Sequence, residues 1–123
     1  MNYMLLVYLD EQSSLMTSDQ APKGCDGLAE RLMESGQYLS GGILHPTTCA
    51  TSVRLRDSGR IVTDGPFAET REQLAGFLMV DARDLDEAIA IAADHPVAKF
   101  GTVEIRPLKE IPELIPPKSS AAK

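Results

Sequence analysis

The sequence predicts an α+β fold in which two βαβ units share one antiparallel sheet, with a β-hairpin inserted between the units. Three observations predict it. Short apolar runs flank two helix-like segments, a turn-rich pair of short runs lies between the two halves, and the length of 123 residues suits one domain. The elements of this fold can be justified in chain order.

The first unit begins with a strand at residues 3–9. Apolar side chains occupy both alternations of its period-2 pattern, so we expect a central strand that is covered on both faces. A helix is predicted over residues 18–35, because Leu28 and Leu32 recur at helical spacing. Gly36 follows directly and is the residue type that most often ends a helix.

Three short strands are predicted in the middle of the chain, at residues 37–44, 50–56 and 60–63. The last two are separated by Asp57-Ser58-Gly59, a combination that suits a tight hairpin turn. This hairpin is the predicted insert.

The second unit begins with a strand at residues 76–81, which is again apolar on both faces. Asp84 is the predicted N-cap of the next helix, and Glu87, three residues later, completes a capping box. Helical spacing ends at the His-Pro pair of residues 95–96, because proline interrupts a helix. Alternating residues 102–106 give the last strand.

These elements place both helices on one face of the sheet and leave the other face uncovered. That face is also apolar, and burying apolar surface is worth roughly 25 cal/mol per Å². The simplest cover is a second copy, so we expect a homodimer with two-fold symmetry. The domain should span residues 1–108, while residues 109–123, rich in proline, serine and alanine, should form a flexible tail.

Composition excludes several classes of function. A net charge of -6 without a cluster of lysine or arginine argues against nucleic acid as a partner. The sequence has no apolar run long enough to cross a membrane and no signal-peptide pattern, so we expect a cytoplasmic protein. Cys25 and Cys49 lack the spacing of a zinc or redox site, and no nucleotide-binding glycine motif is found. We therefore expect no metal and no cofactor.

The most specific motif is Thr-Asp-Gly-Pro-Phe-Ala-Glu-Thr at residues 63–70. Gly65 permits an unusual φ and Pro66 fixes its own, so the backbone after Asp64 should be stiff. A carboxylate is thereby presented at the end of a strand.

This motif resembles the signature of the DGPF-domain branch of the YCII-related family. The resemblance extends over residues 2–108, including the segments at residues 41–46, 50–54 and 100–107. It implies ferredoxin-like subunits that form a dimeric α+β barrel. It also implies relatives that isomerise or dehydrohalogenate small cyclic acids and hydroxyquinols, and others that work beside extracytoplasmic-function sigma factors.

Three residues are candidates for catalysis. His45 and Asp64 each follow a predicted strand, and an imidazole with a carboxylate partner can move protons near neutral pH. Both residues could equally serve as turn formers. The resemblance adds Asp94, because related enzymes have an Asp–His dyad whose aspartate lies near the end of the second helix. The first predicted helix has no histidine, so the dyad is not transferred as a pair.

Three further residues are candidates for binding substrate. Arg54 could hold a carboxylate ligand with its guanidinium group, and Glu69 could balance that charge. Phe67 of the motif completes the set. The alternative for Arg54 is a solvated position on the hairpin, and the alternative for Glu69 is capping of a short turn.

Two functions therefore remain open. One is a small-molecule enzyme without a cofactor, an isomerase or lyase that acts by proton transfer on an acidic or phenolic compound. The other is a non-catalytic dimer that binds a metabolite or a protein and acts beside a sigma factor. A closed apolar pocket that carries His45 or Asp64 inward would favour the first, and a shallow pocket with a large exposed apolar patch the second.

Overall fold

The computed structural model of the chain describes residues 1–12 and 27–110. Over these ranges it forms β1 (Asn2–Leu9), α1 (Leu28–Glu34), β2 (Tyr38–Ile43), β3 (Thr51–Arg56), β4 (Gly59–Asp64), β5 (Gln73–Asp81), α2 (Leu85–Ala93) and β6 (Thr102–Pro107). The predicted mixture of antiparallel strands and two helices is confirmed. The first part of the helix predicted over residues 18–35, and the tail beyond residue 110, lie outside the described residues.

The strands form two separate sheets. The larger has the order β2-β5-β1-β6, and each neighbouring pair is antiparallel. β1 is therefore an interior strand, as predicted. β3 and β4 pair only with each other, in a two-stranded sheet whose register runs from Thr51 opposite Asp64 to Arg56 opposite Gly59.

The hydrophobic core lies on one face of the larger sheet. Tyr3 and Leu5 of β1 are buried there beside Leu78 and Val80 of β5. Both helices add side chains to the same cluster: Leu28, Leu32, Ala88, Ile91 and Ala92.

The opposite face of the sheet is only half-buried, and Met4, Leu6, Phe77 and Met79 lie on it. The sequence predicted that both faces of β1 are covered, but within one chain only the helix-facing side is. We call this half-buried surface the open sheet face.

Glycine determines where α1 ends. Gly36 has a φ of +78°, which is accessible to glycine at little steric cost. Its N–H donates to the carbonyl of Met33 (3.1 Å), and the N–H of Gln37 donates to the carbonyl of Leu32 (2.8 Å). This pair of bonds is a Schellman motif, which satisfies carbonyls that the helix itself leaves unpaired. The predicted stop is confirmed.

The start of α2 is also as predicted. The carboxylate of Asp84 accepts a hydrogen bond from the N–H of Glu87 (2.9 Å). The carboxylate of Glu87 accepts one from the N–H of Arg83 (2.9 Å) and another from the side chain of Gln37 (3.0 Å). The predicted N-cap is confirmed, but the reciprocal bond of the capping box runs to the N–H of Arg83 instead of Asp84. Through Gln37, the carboxylate of Glu87 also joins the helix to the segment between α1 and β2.

We expect Asp84→Ala to lower the free energy of unfolding by about 1 kcal/mol, because it removes the N-cap acceptor. Urea denaturation would measure the change. Asp86→Ala is the matched control, since Asp86 lies in the same turn, is exposed, and its side chain makes no hydrogen bond within the described residues. Equal effects of the two substitutions would contradict a specific capping role.

Candidate functional site

An apolar cavity of about 200 Å³ lies at one end of the larger sheet. Its walls come from β1, the end of β2, the start of β5 and the segment after α2. The apolar lining includes Val7, Leu9, Ala75, Leu78, Val97 and Phe100. Among the described residues that line it, His95 and Glu11 carry the titratable side chains. The cavity is thus a mostly apolar pocket with an imidazole and a carboxylate in its wall, the usual composition of a small-ligand site.

His95 is buried, with 5% of its surface exposed. It follows α2 and precedes a 3-10 turn at Pro96–Lys99, where its Nδ1 accepts a hydrogen bond from the N–H of Val97 (3.1 Å). Because Nδ1 is an acceptor, the neutral ring carries its proton on Nε2. The backbone of the turn therefore selects the tautomer and orients the ring.

Glu11 lies just beyond β1 and is fixed from two sides. One carboxylate oxygen accepts from the N–H of Thr47 (3.0 Å) and the other from the hydroxyl of Thr47 (2.8 Å). The N–H of Glu11 donates to the side chain of Gln73 (2.9 Å). These bonds hold the carboxylate against the 3-10 turn at Thr47–Cys49, next to the cavity wall.

The structure does not bring His45 and Asp64 together by a hydrogen bond or an ion pair within the described residues. His45 lies two residues beyond β2 and is exposed, and Asp64 is the last residue of β4, opposite Thr51, and is also exposed. Neither residue is among the described residues that line the cavity. Their catalytic roles stay predictions.

The other candidate residues are on the surface as well. Arg54 lies on β3, Phe67 and Glu69 lie between β4 and β5, and Asp94 is the C-cap of α2. All four are exposed, and none is among the described residues lining the cavity. Asp94 is nevertheless the immediate neighbour of the buried His95.

The Asp-Gly-Pro-Phe motif closes the base of the β3–β4 hairpin. Gly65 has a φ of +106°, a conformation that side chains disfavour. Its N–H donates to the carbonyl of Ala50 (2.7 Å), and its carbonyl accepts from the hydroxyl of Ser52 (2.8 Å). Gly65 therefore uses the conformational freedom of glycine, and its two hydrogen bonds join the two ends of the insert.

From the sequence, the pair of Asp94 and His95 was a weaker candidate in which His95 was set aside, and Glu11 was not a candidate. The His-Pro pair at residues 95–96 was explained by helix termination, and that explanation is correct, since α2 ends at Ala93. The pair has a second role, because the turn that follows α2 also places His95 and Val97 in the cavity wall. Nothing in the sequence around Glu11 signals its position, since it depends on contacts with Thr47 and Gln73, which are distant in the chain.

Two other classes of site are not seen in the described part of the chain. Residues 1–12 and 27–110 contain no group of three or more histidine, cysteine, aspartate or glutamate side chains placed to hold a metal ion. None of the helices in those ranges is long and apolar enough to cross a membrane.

The fold and the cavity together define a small α+β domain with a ligand-sized pocket against its sheet. The sequence model of the YCII-related domain matches residues 1–112. The chain is also 37% identical over 114 residues to an uncharacterized protein of Rhizobium meliloti (strain 1021), covering 88% of this chain and 92% of that protein. The chain belongs to the YCII-related family.

A solved structure has a similar fold. It is the 5-chloro-2-hydroxyhydroquinone dehydrochlorinase (TftG) from Burkholderia phenoliruptrix AC1100, in complex with 2,5-dihydroxybenzoquinone. The TM-score is 0.56, the sequence identity is 15%, and the match covers 92% of this chain and 98% of that chain. At this identity the similarity shows the fold alone.

Proposed function

We propose that this protein is a small-molecule enzyme that acts by proton transfer on a single-ring acidic or phenolic compound bound in the cavity. The observation that carries the proposal is the burial of His95 in the wall of an otherwise apolar pocket. Polar side chains are rare in such walls, and those present usually orient or activate the ligand.

The size of the cavity supports a ligand with one ring. A dry cavity of about 150 Å³ in another protein is large enough for benzene. A cavity of about 200 Å³ therefore has room for a ring with a few small substituents. The structural neighbour supports the same class, because both the compound it dechlorinates and the quinone bound to it have a substituted six-membered ring.

His95 and Glu11 divide the chemistry between them in this proposal. In this proposal the imidazole of His95, in the wall of the cavity, stabilises negative charge on a ring oxygen of the bound compound. The carboxylate of Glu11 accepts the proton that the substrate loses. In an isomerisation the proton returns to another atom of the ring. In a dehydrohalogenation the carbon–halogen bond breaks and halide leaves with the bonding electrons.

The quaternary structure proposed with this function is a homodimer. The open sheet face is apolar at its centre, and a second sheet packed against it would complete a dimeric α+β barrel.

A second candidate function is a non-catalytic dimer that binds a metabolite or a protein beside a sigma factor. The observation that favours it is the exposed apolar surface on β3 and β4. A protein that acts through this surface would not need to catalyse a reaction in the cavity. Tests of binding and turnover in the cavity therefore distinguish the two candidate functions.

Binding of 2,5-dihydroxybenzoquinone provides the direct test, and isothermal titration calorimetry would measure it. We expect saturable binding of one quinone per chain, and chloride release when a chlorinated hydroxyhydroquinone is supplied. Absence of saturable binding at quinone concentrations up to about 1 mM would contradict the proposal. A dissociation constant of about 1 mM corresponds to a binding free energy of only about -4 kcal/mol. Binding without any chloride release would favour the non-catalytic alternative.

A further inference from the structure

The hairpin of β3 and β4 extends from the domain as an arm. We use the name hairpin arm for residues 51–64. Within the described residues, every hydrogen bond made by this segment stays between Ala50 and Gly65. Neither strand pairs with the larger sheet. Among the residues that the structure describes, the hairpin arm is therefore hydrogen-bonded to the rest of the chain only at its base.

One face of the hairpin arm carries an exposed apolar cluster, flanked on the same face by Arg60, which lies opposite Leu55, and by Asp64. Val53 and Val62 are directly opposite each other, so their side chains lie on the same face, and Leu55 is two residues further along that face. Their exposed fractions are 59%, 56% and 72%, respectively. This cross-strand cluster has the composition of a buried surface in a position that the chain itself does not cover.

An isolated two-stranded hairpin is marginally stable in water. It becomes stable when a third strand pairs with it or when one face packs against other apolar surface. A hairpin arm of two six-residue strands with an exposed apolar cluster is thus stabilised by a covering surface, and none is seen among residues 1–12 and 27–110.

Charge indicates what kind of surface would cover it. Residues 51–64 contain three arginines and two aspartates, which gives the arm a net charge of +1. Because the whole chain has a net charge of -6, the residues outside the arm have a net charge of -7. Arg54, Arg56 and Arg60 form no ion pair within the described residues. A second copy of this chain offers the acidic surface that complements such an arm.

Area also favours a second copy. One face of the hairpin arm measures about 20 by 10 Å, or about 200 Å², from the standard spacings of strands. The open sheet face, with four strands and about eight residues in its longest, adds about 500 Å². The sum of about 700 Å² is near the roughly 800 Å² per partner that stable interfaces bury. Neither surface alone reaches it.

We propose that the hairpin arm of each protomer packs its Val53–Val62 face against a second copy of the chain, extending an interface centred on the open sheet face. The contact is two-fold, so each copy gives one arm and receives one. Arg60, the arginine of the arm on the same face as Val53 and Val62, meets acidic side chains of the partner.

Val62→Glu tests the proposal, because it puts a charge in the centre of the apolar face. We expect wild-type protein to be dimeric at micromolar concentration by light scattering. For Val62→Glu we expect a dimer dissociation constant at least tenfold higher. Ile89→Glu is the matched control, since Ile89 on α2 is 49% exposed and also apolar but lies away from the arm. It should leave the dissociation constant unchanged.

A second measurement does not depend on Val62→Glu being folded. Two variants, Leu55→Cys and Met79→Cys, are made with Cys25→Ser and Cys49→Ser, which removes both native thiols. We expect a short bis-maleimide to cross-link a mixture of the two into a heterodimer, because the arm of one copy reaches the open sheet face of the other. Ile89→Cys in place of Leu55→Cys should give none.

Three results would overturn the proposal. The first is a monomeric wild type at these concentrations, which would leave the arm to a different protein. The second is an equal dissociation constant for Val62→Glu and Ile89→Glu. The third is a cross-link that forms as well from Ile89→Cys as from Leu55→Cys.

Discussion

His95→Asn should abolish most of the activity and leave the fold intact. The asparagine oxygen can replace Nδ1 as the acceptor for the N–H of Val97, so the cap of the turn after α2 survives. The variant lacks the imidazole ring. We expect the dissociation constant of the quinone probe to rise about tenfold, the value of one hydrogen bond of about 1.4 kcal/mol. Turnover should fall by about 100-fold or more.

The control for this variant is the only other histidine of the sequence. His45→Asn makes the same chemical change at an exposed position that does not line the cavity. We expect its binding and turnover to equal those of wild type. If His45→Asn loses activity and His95→Asn retains it, the cavity is not the active site and the predicted pair of His45 with Asp64 becomes the better hypothesis.

Gly101→Ala should be the most destabilising single-methyl substitution that we can specify. A Cβ at this position would overlap the carbonyl oxygen of Tyr8 and would lie 2.8 Å from a methyl group of Val97. Backbone atoms of a central strand cannot move aside without disturbing its pairing with β6. We expect a loss of about 3 kcal/mol in the free energy of unfolding, measured by urea denaturation.

Gly36→Ala separates this steric effect from ordinary loss of a glycine. Gly36 also has a special conformation, with a φ of +78°, but a Cβ there would meet nothing within 4 Å. Its cost should be limited to the strain of the left-handed conformation, about 1 kcal/mol. A larger loss for Gly36→Ala than for Gly101→Ala would show that the close approach at Tyr8 is relaxed easily.

Local chemistry explains which parts of the fold could be predicted. The ends of the helices depend on residues within a few positions of each other, such as Asp84 with Glu87 and Gly36 with Met33, and the structure agrees at both. The turn at residues 57–58 is local in the same sense. Each of these features is determined by a short-range hydrogen bond or by a backbone conformation that few residue types accept.

The site could not be predicted in the same way, because it is assembled from distant parts of the chain. Glu11 is held by Thr47, which is 36 residues away, and the cavity also needs Val7, Ala75 and Val97. Sequence reasoning therefore selected polar residues at strand ends, such as His45, without knowing on which side of the sheet they would lie. His95 would have been a candidate if the His-Pro pair had been interpreted both as the end of the helix and as part of a ligand pocket.

The hairpin arm and the larger sheet should also form at different times during folding. The furthest partners in the arm, Thr51 and Asp64, are 13 residues apart, whereas Tyr3 and Pro107, which join β1 to β6, are 104 apart. Hairpins close in microseconds, and pairings between distant segments are slower because more chain entropy is lost first. The hairpin arm, with its exposed apolar cluster, can thus form before the open sheet face against which it is proposed to pack. Newly made chains would then pass through a stage at which crowding favours aggregation over assembly.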